Sequence, residues 1–194
     1  MKARIFSNDF NRLLDATKGF LADADVVVRP SLSYIKLVFE SSISRVTAIA
    51  VDGYRMSVEH CVVSDCDEDF VAFIKPTIRL PRGQYFSIEL CDNEVAIKGR
   101  DFSFSYPQPQ LVDPFDFMKV IPEKEKRVFR IGFNGNYLMT ALQAAKVSAG
   151  DTFKNPVILE FYGENLPALI RTNKDDIKMV LPVRLSKDGE KDNA

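Results

Sequence analysis

The stretch V-T-A-I-A-V-D-G-Y-R-M-S-V, residues 46–58, decides how this chain is read. Val46, Ala48 and Ala50 on one side, with Ile49 and Val51 on the other, predict a strand that is apolar on both faces. Asp52-Gly53 then breaks it with the dipeptide that best tolerates positive φ, and Tyr54, Met56 and Val58 resume a period of two. The segment is a β-hairpin in which Asp52 stabilises the turn. Taken alone it is an ordinary core hairpin, and its meaning depends on what surrounds it.

The surroundings are those of a soluble globular chain. The 194 residues can bury a substantial core, and 46% hydrophobic with 27% charged residues is ordinary composition. With 26 basic and 27 acidic side chains the net charge is −1, so nucleic-acid contact would need a local basic surface on a neutral body. No run approaches the ~18–20 apolar residues of a membrane helix, and the N-terminal M-K-A-R-I-F-S-N lacks the apolar centre of a secretion signal, so a cytoplasmic location is expected. Cys61, Cys66 and Cys91 are an odd number without C-x-x-C spacing. His60 and these cysteines could be drawn as a zinc site, but strand-like context favours buried thiols, and no metal or other cofactor is expected.

Outward from the hairpin, the N-terminal side begins with a short strand at 3–6 and a helix over about 9–21. Ser7-Asn8-Asp9 is its N-cap cluster; Phe10, Leu13, Leu14, Thr17, Phe20 and Leu21 share one face, while Asn8, Asn11, Asp15 and Lys18 share the other, with Arg12 at the flank. Val26-Val27-Val28 and the turn-prone Arg29-Pro30-Ser31 lead to strands at 35–40, 46–51 and 54–63. After an acidic turn at 65–69, a strand starts at 70–74. In K-P-T-I-R-L-P-R-G, Pro76 could open a short helix, but Pro81 and Gly83 forbid a long one. Strands at 87–91, 94–98 and 102–106 follow, then a proline-rich connection at 107–114 and a charged link at 122–127. Beyond it come a strand at 128–133, a helix capped by Asn134-Gly135-Asn136 with buried face Tyr137, Leu138, Ala141, Leu142 and Ala145, and strands at 157–162, 168–172 and 177–183.

Laid side by side, these are three copies of one plan at a period of about 60 residues: strand, helix or its remnant, three-stranded meander. The class is α+β. The expected division is 1–122 as one domain of two copies, 123–185 as a third copy standing alone, and 186–194 as a polar tail.

The residues resemble the bacterial sliding clamp, the beta subunit of DNA polymerase III. I-G-F-N-G-N-Y-L-M-T-A-L-Q-A-A, V-I-L-E-F, P-A-L-I-R-T and the terminal M-V-L-P-V-R-L resemble the last half-domain of that family in order and spacing. A-V-D-G-Y-R-M is similar to the family's middle-domain hairpin A-T-D-G-x-R-L, R-P-S-L to the loop before it, and F-D-F-M-K-V-I-P to the segment closing that domain. The resemblance implies clamp-like repeats, one full domain plus a half-domain, in a shortened form that associates as a homo-oligomer around DNA. It implies a processivity or tethering factor for DNA polymerase, not an enzyme. One histidine, no glycine-rich phosphate loop and no nucleophile elbow agree with that.

By matching positions, the family's pocket for short linear peptides of polymerases and other replication proteins would here use Leu32, Gly53, Tyr54, Arg55, Met56, Pro76, Arg79, Leu181, Pro182, Val183, Arg184 and Leu185. Such a cleft buries apolar side chains of an extended peptide while an arginine fixes a carboxylate or backbone group. Val51 replaces the family's usual threonine, Tyr54 a common histidine and Val183 a methionine, which alters the pocket's shape. Contact with duplex DNA in the family is phosphate-directed and sequence-independent, and the candidates here are Arg12, Lys18, Arg29, Lys75, Arg79, Arg82 and Lys146. The alternative is a peptide-binding module without a ring that regulates or decoys replication proteins.

Overall fold

The computed structural model describes residues 1–22, 30–109, 119, 121–123, 126–149, 156–172 and 177–185. Val26-Val27-Val28, Arg29, most of the 107–114 connection, part of the 122–127 link and the 186–194 tail lie outside the described residues. The chain divides into two units, Met1–Phe115 and Asp116–Ala194. Among the described residues no helix is long and apolar enough to cross a membrane.

Unit 1 opens with β1 (Lys2–Phe6) and runs straight into α1 (Ser7–Thr17). The Ser7-Asn8-Asp9 cluster does not cap this helix as expected. Instead Phe6 occupies the cap position with no side-chain bond, and Ser7 lies inside the first turn, where its N–H donates to the Gln84 carbonyl at 3.0 Å. Backbone from elsewhere in the unit thus satisfies a donor that every helix start leaves orphaned. The helix ends at Thr17, whose buried hydroxyl donates back to Leu13 O at 2.6 Å, and a 3-10 turn (Lys18–Phe20) replaces its expected last turn.

The meander β2 (Ile35–Glu40), β3 (Arg45–Val51) and β4 (Met56–Val62) follows the expected order. Ile35, Leu37 and Phe39 are fully buried on one face of β2; in β3 both faces are buried, as the opening stretch predicts. After the two-residue β5 (Asp65–Cys66) comes β6 (Phe70–Ile74), and then a second meander, β7 (Tyr85–Cys91), β8 (Glu94–Lys98) and β9 (Ser103–Pro107). The sheets are not divided as the repeat suggests. β6 joins the first meander in the order β4-β3-β2-β6, and β1 joins the second in the order β5-β1-β7-β8-β9. Each copy's leading strand therefore lies in the other copy's sheet, antiparallel to its first meander strand, with Ile5 opposite Phe86 and Leu37 opposite Ala72. One core unites both sheets and α1, with Phe10 of the helix edge-on to Phe86 at 5.1 Å. Each fully buried Leu, Ile or Phe in it contributes roughly 1.5–3 kcal/mol.

Between β6 and β7 no helix forms after Pro76; the segment is a turn, closed by Ile78 N–H donating to Lys75 O at 3.3 Å. It is tied to α1 by Asn11, which the helical pattern places on the polar face and which is in fact buried. Its Nδ2 donates to Leu80 O at 2.9 Å, and Leu80 N donates to its Oδ1 at 3.1 Å. Gln108 makes the same clip at the outer edge of β6, donating to Phe73 O at 3.1 Å and accepting from Phe73 N at 2.7 Å. Both amides pair backbone groups that would otherwise be buried without a partner.

Unit 2 is smaller and more open. β10 (Gly132–Phe133) precedes α2 (Gly135–Ala149), where Asn134 Oδ1 accepts from the N–H groups of Asn136 and Tyr137 at 3.0 and 3.3 Å, the expected cap. β11 (Ile158–Glu160), β12 (Ala168–Arg171) and β13 (Ile177–Val180) form a meander, and β14 (Pro182–Val183) pairs with β10. The strand expected over 128–133 is reduced to its last two residues, and the one expected over 177–183 is interrupted at Leu181. Ala145, Ile170 and Val180 form the buried centre, with Phe133, Leu138, Ala141 and Leu142 against it. Tyr137, assigned by periodicity to the buried face, is 69% exposed because the stripe that meets the core runs through Leu138, Ala141, Leu142 and Ala145 and leaves Tyr137 at its edge.

Asn11→Ala removes both bonds to Leu80 and is expected to cost about 1–3 kcal/mol, read as a lower urea midpoint. The exposed Asn8→Ala should cost less; equal effects would show that the clip carries no special weight.

Candidate peptide and DNA contact residues

The hairpin turn between β3 and β4 is built around one carboxylate. Asp52 Oδ1 accepts from the N–H groups of Tyr54 and Arg55 at 2.9 and 2.8 Å, and its Oδ2 accepts from Arg55 Nε and Nη2 at 2.8 and 2.6 Å. Gly53 at φ 94° supplies the left-handed residue that the turn requires. The Tyr54 N–H, then the Arg55 side chain and N–H, hold the Asp52 carboxyl down at about 2. Tyr54 is left 97% exposed, so the strand resumes at Met56 and not at Tyr54. The Arg55 guanidinium lies 5.5 Å from the centre of the Phe20 ring, a cation–π contact that tethers the turn to the end of α1.

Two other candidate segments are bonded to the end of α1 or to the residues just after it. Ala22 N–H donates to the carbonyl of Leu32, in the 3-10 turn Pro30–Ser33, at 3.0 Å. Arg79 Nη1 donates to both Asp15 oxygens at 2.8 and 3.1 Å, and Pro76 lies half-buried three residues before it. Unit 1 therefore ties Arg55, Leu32 and Arg79 each to the end of α1 or to the residues just after it. Sequence spacing alone misses the Arg55–Phe20 contact, because the helical pattern assigns Phe20 simply to the apolar face.

The DNA candidates are less free than their charges suggest. Arg12 donates to Glu59 Oε2 at 3.0 Å and to His60 O at 2.7 Å, pinning α1 to β4. Lys18 pairs with Asp15 at 2.6 Å, and Arg79 with the same residue, so one carboxylate is shared by two candidate cations. Those two, Arg79 first, hold the Asp15 carboxyl at about 2. Lys75 Nζ lies 5.6 Å from the Tyr106 ring centre. Arg82 and Lys146 are exposed, and Arg29 lies outside the described residues.

In unit 2 the C-terminal candidates form an exposed apolar run: Leu181 is 63%, Val183 45% and Leu185 45% exposed, Pro182 half-buried and Arg184 exposed. The run is positioned by β10, with Gly132 opposite Val183 and Phe133 opposite Pro182. A Cβ on Gly132 would stand 2.6 Å from Leu185 Cδ2, so glycine is what lets Leu185 lie against the strand. Two clefts escape sequence reading because their linings come from separated segments. One, of about 610 Å³, is lined by Met1, Val71, Phe73, Leu90 and neighbours in unit 1; the other, of about 290 Å³, by Phe129, Phe161, Tyr162, Gly163 and Glu164 in unit 2.

The cysteines divide. Cys61 is half-buried and burial pushes its thiol up to about 12; Cys66 is half-buried, and Cys91, expected to be buried, is exposed at the end of its strand. Among the described residues no group of three His, Cys, Asp or Glu could hold a metal ion.

No family model and no curated protein sequence matches the chain. Its fold, however, matches solved structures closely. The DNA polymerase III beta chain of Streptococcus pneumoniae TIGR4 is 16% identical over 95% of this chain and 50% of its own, with a TM-score of 0.74. The DNA polymerase III beta subunit of Thermotoga maritima is 13% identical over 94% and 50%, with a TM-score of 0.72. The Helicobacter pylori beta clamp bound to a DNA ligase peptide is 18% identical over 94% and 56%, with a TM-score of 0.61. The chain thus has the α+β fold of the sliding clamp and spans about half the length of the first two of these structures.

Asp52 yields a test of the turn. Its carboxyl is depressed from an ordinary 3.8 to about 2, so its contribution is complete above that ordinary value and is lost as pH falls towards 2. The stability gap between the parent and Asp52→Asn is expected to be constant from pH 7 to 5 and to close between pH 4 and 2 in urea unfolding. A gap that ignores pH would show the charge to be irrelevant.

Proposed function

We propose that this chain is a shortened, sliding-clamp-like processivity or tethering factor for a DNA polymerase. It would encircle duplex DNA as a homo-oligomer and bind partner proteins through short peptides. The observation that carries this reading is the fold: 94–95% of the chain superposes on polymerase III beta structures at TM-scores of 0.72 and 0.74. Oligomerisation is supported by unit 2, whose small core leaves Ile158, Leu159 and Met139 about half exposed. Water-exposed apolar area of this kind is a common mark of an interface. DNA contact would be weak and salt-sensitive, because Arg12, Lys18 and Arg79 already serve carboxylates of their own chain. A closed ring retains DNA by topology and does not need a firm grip.

Peptide capture draws on the exposed apolar C-terminal run and on the Asp52–Arg55 turn. The same family of folds includes a clamp bound to a DNA ligase peptide, which supports the kind of partner. The internal pairing of the candidate cations favours one second reading, a peptide-binding module that forms no ring and regulates or decoys replication proteins.

Light scattering of the native protein at micromolar concentration and low salt is expected to give a defined mass above the monomer, and a strict monomer would remove the ring. Retention on circular DNA after loading, with release on linearisation, distinguishes the ring from the peptide module. In peptide titrations with a clamp-binding sequence, Leu181→Ala and Leu185→Ala are each expected to weaken binding about 10-fold, near 1.4 kcal/mol. The double variant Arg55→Ala/Met56→Ala should weaken it too while remaining folded. Unchanged affinity in all three folded variants would overturn the assignment of these residues.

A further inference from the structure

The smaller cleft of unit 2 has a lining of unusual chemistry: the rings of Phe129, Phe161 and Tyr162 around the Gly163 turn, with Glu164 at the rim. Phe129 and Phe161 are 5.7 Å apart between ring centres at an interplanar angle of 59°, so they form two walls of a corner. Phe133, the backbone partner of Pro182, backs this corner at 6.4 Å from Phe161. The Tyr162 ring is held by its hydroxyl, which donates to Glu160 Oε2 at 2.9 Å. That carboxylate also accepts from Arg171 Nε at 3.0 Å, so its charge is already balanced. Glu164, by contrast, makes no hydrogen bond or ion pair among the described residues.

Phe129, Phe161 and Tyr162 remain 50%, 42% and 59% exposed, so internal packing leaves part of each ring open to a ligand. At about 290 Å³ the cleft lies just below the ~300–1,000 Å³ typical of sites for whole small ligands, and suits a single side chain. Aromatic faces carry negative potential and attract cations, the more so with an unbalanced carboxylate beside them. Neither Arg127 nor Arg130, close in sequence to Phe129, is part of the lining. We propose that the Phe129–Phe161–Tyr162 cleft, with Glu164, is a docking site for a basic side chain of a partner protein. Arginine is favoured over lysine, because its planar guanidinium can stack on a ring while donating to the carboxylate.

The probe is the tripeptide acetyl-Gly-Arg-Gly-amide, titrated into the full chain and followed by aromatic NMR, with the citrulline analogue as an uncharged control of the same shape. The arginine peptide is expected to shift the Phe129, Phe161 and Tyr162 signals and to bind about fivefold or more tightly than the citrulline peptide. Glu164→Gln, a surface change that leaves the fold intact, should reduce that preference, and Phe161→Leu should abolish the shifts. Absence of shifts, equal binding of the two peptides, or a preference unaffected by Glu164→Gln overturns the proposal.

Discussion

Pairing of β1 with β7 and of β6 with β2 is the contact on which the rest of unit 1 depends. Neither meander is closed by its own leading strand; each borrows the other's, and the borrowed strands carry Ala3, Ile5, Ala72 and Ile74 into the common core. A single apolar interior therefore forms between two stretches of chain that look like separate repeats. α1 covers it, and Asn11 and Arg79 tie the turn segment after β6 to that helix. Arg55 of the hairpin turn, Leu32 and Arg79 are each held at the end of α1 or just after it. The geometry of the candidate site is thus a by-product of how the core closes.

Charge in unit 1 goes into architecture. Arg12, Arg55 and Arg79 each bind a carboxylate on their own chain, and two of the three bridge elements far apart in sequence. Exposed pairs of this kind are worth little singly, and salt or a phosphate can compete for them. These three cations stay neutralised by their own chain unless an anion displaces the internal partner.

Much of this is legible in the residues. The strands at 35–40, 70–74 and 94–98 coincide with the alternation that predicts them, and the Asp52-Gly53 turn forms where the dipeptide stands. Asn134 caps α2 as its position implies. The exchange of leading strands is not legible, because alternation tells which face is buried but not which neighbour supplies the edge. Asn11 escapes for a related reason: helical periodicity scores a polar residue as outward, although a satisfied amide can be buried. Tyr137 fails at the other extreme, an apolar pattern widened by one residue beyond the stripe of Leu138, Ala141, Leu142 and Ala145 that meets the core. Arg55 stands out in the sequence, but its bond to Asp52 depends on side-chain reach that spacing does not encode. The aromatic corner at Phe129 and Phe161 joins segments about thirty residues apart, and no local pattern announces it.

The borrowing of β1 also has a consequence during synthesis. Ile5 finds its partner Phe86 only after the whole first meander has been made. At about 5–20 residues per second, the N-terminal strand waits roughly 4–16 s with its apolar alternation unpaired. Over that interval β2, β3 and β4 can already zip together, leaving an open edge on β2 that β6 must reach before anything else does. The exposure of these edges in nascent unit 1 ends only when β6 and β7 have both been made.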